Sequence, residues 1–124
     1  MTENPYQKYQ KVKMDSTSKQ DLIIMVYDGA VSFIDRSVQH IQEKDFEKVH
    51  FTSLRAQALI NELMLSLNMD KGGEIARNLF NLYDYLIYRL VIGNAKKEKE
   101  PFLEVKEILL ELRAAWVEAK KKVG

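Results

Sequence analysis

The sequence predicts an all-α chain, an antiparallel up-down four-helix bundle behind a short N-terminal arm. Three observations predict it. Helix breakers are scarce, with 5 Gly and 2 Pro in 124 residues. Those few breakers cut the chain into segments of helical length. Within each segment the apolar residues recur at the three- and four-residue steps of a helix.

The first helix is expected from about Ser18 to Glu43, with Ser18 and Asp21 resembling a capping box that satisfies free N–H groups at the start. The second runs from about Asp45, its N-cap, to Leu67. Gly72-Gly73 makes a central break, and the third helix follows from about Gly73 to Ala95. Gly93, close to its end, costs helicity. The charged stretch Lys96 to Glu100 precedes Pro101, which suits the first turn of a fourth helix running to about Lys121. Connections this short make neighbouring helices antiparallel. Residues 1–17 form the arm and 18–124 the bundle, a single domain.

Composition narrows the function. Hydrophobic residues at 46% and charged residues at 30% describe a globular chain. The formal net charge of +1 supplies no field to steer the protein to nucleic acid or an anionic membrane. The absence of Cys removes disulfides, thiolate metal sites and Cys nucleophiles, and is compatible with a reducing cytoplasm. The segment Met1 to Met14 is polar and is not expected to act as a signal peptide. No apolar run approaches the roughly 18 residues of a membrane span.

A bundle helix needs one apolar stripe toward the core. The second helix has two. Its main stripe is Phe46, Val49, Ala56, Ile60, Leu63, Met64 and Leu67, and a second, Phe51, Leu54, Ala58 and Leu65, points to the opposite side. The fourth helix repeats the pattern, with Val105, Ile108, Leu109, Leu112, Trp116 and Ala119 on the main stripe. Leu103, Leu110 and Val117 lie on its far side with Ala114 beside them. The third helix is apolar nearly all round: Ile75, Leu79, Leu82, Tyr83, Leu86, Ile87 and Leu90 face one way, while Phe80, Tyr85, Tyr88, Val91 and Ile92 occupy the rest. That breadth predicts the most buried helix of the four. The first helix carries one wide apolar arc from Leu22 to Val38.

The second stripes have three readings: a groove for a partner, a face covered by the chain itself or its arm, and a self-association surface. The arm, Asn4-Pro5-Tyr6-Gln7-Lys8-Tyr9, offers two aromatic residues in a polar segment. Tyr6 and Tyr9 either dock it over an apolar groove with their hydroxyls wet, or remain solvent-facing on a frayed terminus.

Chemistry finds little support. A di-iron bundle needs two Glu-x-x-His pairs and two further inward Glu residues. Only Glu47-Lys48-Val49-His50 has that spacing, and core-facing Val49 turns Glu47 and His50 outward. Two His and no Cys support neither a zinc site nor a catalytic triad. Asp28 and Asp84 stand among apolar neighbours and are expected to pair with Arg77, Arg89 or a Tyr hydroxyl, or to serve a partner. No cofactor, metal or catalytic residue is assigned, and the chain is read as a non-enzyme.

Several segments together resemble the bacterial flagellin export chaperone family, FliS. They are Asn4 to Tyr9, Val26-Tyr27-Asp28-Gly29-Ala30, the stretch Ser66 to Leu79, Leu82-Tyr83-Asp84-Tyr85-Leu86, Arg89-Leu90 and Glu111-Leu112-Arg113-Ala114-Ala115-Trp116. Asn68 stands where the family commonly has an acidic residue, and Gly93 where a better helix former is usual. The resemblance implies an antiparallel four-helix bundle in the bacterial cytosol. It implies binding of flagellin's C-terminal helices around the outside of the bundle, which prevents premature polymerisation, and assistance in delivery to the flagellar type III export gate. It also implies an arm that covers part of that surface when the ligand is absent. On this reading Tyr6, Tyr9, Phe51, Leu54, Ala58, Leu65, Leu103, Leu110 and Val117 meet the partner. The alternative is a self-associating helical adaptor that uses the same stripes.

Overall fold

The computed structural model describes Pro5 and residues 18–123, so Tyr6, Tyr9 and nearly all of the predicted arm lie outside the described residues. Four helices follow one another: α1 (Lys19–Gln42), α2 (Phe46–Leu65), α3 (Gly73–Lys96) and α4 (Lys99–Val123). Each packs against its two neighbours in the ring α1–α2–α3–α4–α1, and among the described residues the backbones of neither diagonal pair come close. The expected four-helix bundle is present, with every boundary within about two residues of the sequence reading.

Local chemistry starts each element. Ser18 Oγ accepts from the Asp21 N–H at 3.2 Å, and Asp45 Oδ1 from the Lys48 N–H at 3.4 Å. Such caps satisfy donors that the first helical turn leaves without partners. Lys44 (φ 59°) and Lys97 (φ 55°) turn the chain after α1 and α3 in the left-handed conformation. Gly73 has φ 56° at the start of α3, where glycine adopts that backbone without steric cost.

The core is one apolar cluster contributed by all four helices, including Ala30, Ile34, Val49, Ile60, Leu86, Leu90, Phe102, Val105 and Leu109. Buried small polar residues fasten the seams. Ser37 Oγ donates to the Phe33 carbonyl at 2.9 Å and lies 2.7 Å from Thr52 Oγ1 across α1–α2. Ser53 Oγ donates to the Leu90 carbonyl at 3.5 Å across α2–α3. Phe46, Ile75 and Ala119, placed on core stripes by their spacing, are exposed. Each lies in a terminal turn of its helix, where a core-facing direction points past the ends of the neighbours. Asp28 is exposed too, paired with Arg113 and not with the residues expected, while Asp84 is exposed without an ion-pair partner among the described residues. Adjacency in sequence to apolar residues did not bury them, because neighbours on a helix point about 100° apart.

A polar trio crosses the core. The Tyr27 and Tyr83 hydroxyls are 2.5 Å apart, and Trp116 Nε1 donates to the Tyr27 oxygen at 3.2 Å. Two helices whose backbones stay apart, α1 and α3, are thereby joined through the bundle centre. Burial raises both phenols above the ordinary value near 10, Tyr27 well above it.

Outside the core, α1 and α4 are laced by charge. Asp35 pairs with Lys106 at 2.7 Å, Asp28 with Arg113 at 2.5 Å, and Asp21 with Lys120. The acids recur every seven residues along α1 and the bases every seven along α4, in opposite order. Seven residues are close to two helical turns, so antiparallel rods bring all three pairs into register. Singly such exposed pairs contribute little. As a set they fix which rotation of α4 faces α1.

Gly93 has a packing role. A Cβ there would stand 2.8 Å from Phe102 Cε2 and 3.2 Å from Pro101 Cβ. The first turn of α4 sits in the notch that this glycine leaves in α3. Gly93→Ala should gain about 1 kcal/mol of helix propensity but lose roughly 1–3 kcal/mol to overpacking against the fully buried Phe102. Net destabilisation in urea unfolding is expected, and a more stable variant would contradict the notch. The phenol pair gives a second expectation. Folded-state values raised above the unfolded value near 10 contribute stability that is intact below about pH 10 and lost as pH rises further. Urea midpoints measured from pH 8 to 11 should fall at the alkaline end, and less so in Tyr27→Phe; identical profiles would contradict the assignment.

Candidate functional site: an apolar belt on three helices

The second stripe of α2 is on the surface. Phe51, Leu54 and Leu65 are 55%, 45% and 78% exposed, and Ala58 between them is exposed. On α4, Leu103 and Leu110 are 47% and 44% exposed, while Val117 is half-buried. These stripes do not line one groove. Helices α2 and α4 occupy opposite corners of the ring and turn their outer faces in opposite directions.

The surface between them belongs to α3, which the sequence predicted to be the most buried helix. It carries more exposed large apolar side chains than any other described helix: Ile75, Phe80, Tyr85, Tyr88 and Val91. A corner helix has two neighbours, and apolar residues all round it exceed what those neighbours cover. The α2–α3 register aligns its surface with that of α2. Asn94 Nδ2 lies 3.0 Å from His50 Nδ1, and Ser53 reaches Leu90. Antiparallel continuation of that register sets Leu54 level with Val91, Ala58 with Ile87, and Leu65 with Phe80. Exposed apolar side chains of both helices therefore flank the α2–α3 seam, a furrow that the His50–Asn94 hydrogen bond bridges at one end. By contrast α1 exposes no large apolar side chain among the described residues.

On the other flank of α3 the belt becomes polar. The Tyr85 hydroxyl donates to Glu104 Oε2 at 2.6 Å and Arg89 Nε to Glu104 Oε1 at 2.7 Å, tying α3 to α4. The Tyr85 hydrogen bond and then the Arg89 guanidinium hold the Glu104 carboxyl below its usual value. Beyond this clamp lies the α4 track.

One end of the bundle is open. A cleft of about 290 Å³ is walled by Ile23, Leu67, Ile75, Leu79, Tyr83 and Trp116, and Lys19 at the start of α1 stands beside it. Trp116, the chain's single tryptophan, thus links the buried Tyr27 hydroxyl to a surface cleft.

Among the described residues no cluster of three or more His, Asp and Glu side chains is placed for a metal ion. Glu47 and His50 are both exposed, as their position beside Val49 predicts. No described helix is long and apolar enough to cross a membrane. The site's available chemistry is burial: each large side chain covered by a partner contributes roughly 1.5–3 kcal/mol before ordering costs.

Comparison with known proteins agrees with this picture. The family described as flagellar protein FliS matches residues 2–123. The flagellar secretion chaperone FliS of Bacillus subtilis (strain 168) is 32% identical over 117 residues, covering 94% of this chain and 86% of the relative. Its counterpart in Salmonella typhimurium is 34% identical over 110 residues, covering 88% and 82%. A crystal structure of a flagellar chaperone from bacteria superimposes with a TM-score of 0.80 at 16% identity, over 94% of this chain and 95% of that one, and shows the shared fold. An antiparallel four-helix bundle whose sequence matches across nearly its whole length makes this chain a member of the FliS family of flagellar export chaperones.

Proposed function

We propose that this protein acts in the bacterial cytosol, binds the C-terminal amphipathic helices of flagellin, prevents their premature polymerisation and assists delivery to the flagellar type III export gate. The observation that carries the reading is the asymmetry of the exposed surface: α2, α3 and α4 each present a second apolar face and α1 presents none. A segment destined to pair in a filament exposes its own apolar face until it is paired, and that face aggregates when left free. Covering it requires a complementary apolar surface and no catalytic group.

The belt suits a ligand that wraps. The α2–α3 furrow and the α4 track face different directions, so one straight helix meets only one of them. Two helical stretches joined across the Tyr85–Arg89–Glu104 clamp meet both. Phe51, Leu54, Ala58 and Leu65 serve the first contact, with Phe80 and Val91 added from α3. Leu103, Leu110 and Val117 serve the second. Residues 1–17 act as an arm whose Tyr6 and Tyr9 shield apolar surface before the ligand arrives. The position of Lys19, the first residue of α1, beside the end cleft supports that role.

Calorimetric titration with the C-terminal segment of the cognate flagellin should show saturable binding with a negative heat-capacity change, the sign of apolar burial coupled to folding. Leu54→Ser with Leu110→Ser should weaken binding by about tenfold or more, on the basis of two lost apolar contacts, with helicity preserved. Unchanged affinity would contradict the residue assignment. Concentration-independent sedimentation as a monomer is expected, and self-association that the same two substitutions abolish would favour the adaptor reading. Removal of residues 1–17 should shift the emission of Trp116, and unchanged emission would contradict shielding at that end.

A further inference from the structure

The geometry of α4 points to a helix of one defined charge pattern as the occupant of its track: we propose a segment about four turns long, apolar at heptad spacing and basic along one edge. The inference rests on the proposed function and specifies the part of the ligand that reaches α4.

Spacing gives the first part. Leu103, Leu110 and Val117 recur every seven residues. The track from Leu103 to Val117 is about 21 Å long at 1.5 Å per residue. A helix lying along it keeps contact when its own apolar residues repeat at the same interval. Exposed Ala114 lets the backbones approach in the third turn.

Charge gives the second part. The margin of the track that faces α1 holds Lys106, Arg113 and Lys120, each already paired with an aspartate of α1. That margin makes no demand on a ligand. The opposite margin holds Glu100, Glu107 and Glu111, all exposed and without an ion-pair partner among the described residues, while Glu104 is engaged by Tyr85 and Arg89. Glu107 falls on the outward line between Leu103 and Leu110, where a docked helix lies closest. Lys99, one turn before Leu103, offsets one of these charges, and the uncompensated charge beside the first three turns of the strip is net negative. Glu118 continues the same margin but is paired with Lys121, and Lys122 follows it, so the unpaired acids lie in the N-terminal part of α4. The α2–α3 furrow lacks such a bias: Glu47, Glu62 and Asp84 on it are mixed with Arg55 and Arg77. The furrow supplies area and α4 selects by charge, since a basic edge gains attraction there and an acidic one meets like charge as water is excluded.

The test uses the full chain and two synthetic amphipathic helices of about 20 residues, with identical leucine heptads, one lysine-edged and one glutamate-edged. At low salt the lysine-edged helix should bind about tenfold tighter, as two or three partly desolvated charge contacts allow. The difference should shrink to within about twofold near 0.5 M salt, where screening acts over only a few ångströms. Glu107→Gln with Glu111→Gln, both at exposed positions, should remove the preference while the circular dichroism spectrum stays helical. Equal affinities, preference for the glutamate-edged helix, binding by neither, or a preference that survives the Gln substitutions would each overturn the proposal. Titration with the flagellin segment is judged separately, so the chaperone reading can stand where the charge selection falls.

Discussion

A helix at the corner of a four-membered ring meets two neighbours and turns the rest of its circumference to water. That constraint governs this protein. One apolar stripe per helix completes the core, and any second stripe is surface, whatever its hydrophobicity. In α1 the wide apolar arc is consumed by α2 and α4. In α2, α3 and α4 apolar residues remain after the core is filled, and they form a belt round three sides of the bundle. A folded chain retains so much exposed apolar area only against a cost in solubility, which a binding role explains.

The bundle that presents the belt is kept rigid by means that leave it free. The Tyr27–Tyr83–Trp116 trio ties diagonal helices through the centre, away from every exposed stripe. The Asp21, Asp28 and Asp35 ladder to Lys120, Arg113 and Lys106 sets the rotation of α4, and so decides that Leu103 and Leu110 face outward. Gly93 lets the first turn of α4 seat against α3, bringing Glu104 within reach of Tyr85 and Arg89. Each device uses polar groups or close backbone approach at the seams and leaves much of the outer apolar faces exposed.

Much of this was legible in the sequence, for physical reasons. Helical periodicity and three short connections fixed the architecture. The second stripes of α2 and α4 were readable because charged residues such as Arg55 and Glu62 separate them from the core stripes. The outer face of α3 was not, because Phe80, Tyr85, Tyr88 and Val91 merge with its core stripe and no polar boundary marks where burial stops. Asp28 was misjudged for a related reason: its pairing depends on Arg113, 85 positions away, and not on its apolar chain neighbours. The seven-residue ladder was present as a pattern of charges, but its meaning needed both helices in register. The buried hydroxyl pair joins residues 56 apart, a separation about which local periodicity says nothing.

Membership in a family of flagellar export chaperones and the exposed apolar belt both support the proposed role, the sheltering of another chain's helices. The central claim is spatial: ligand covers α2, α3 and α4 and leaves α1 open. Backbone and methyl NMR of the full chain, recorded with and without the C-terminal segment of flagellin, tests it most directly. The account predicts large shifts at Leu54, Leu65, Val91, Leu103 and Leu110, with the solvent face of α1 around Ser32 and Gln39 unmoved. Shifts concentrated on that face of α1, with the belt unperturbed, would contradict it.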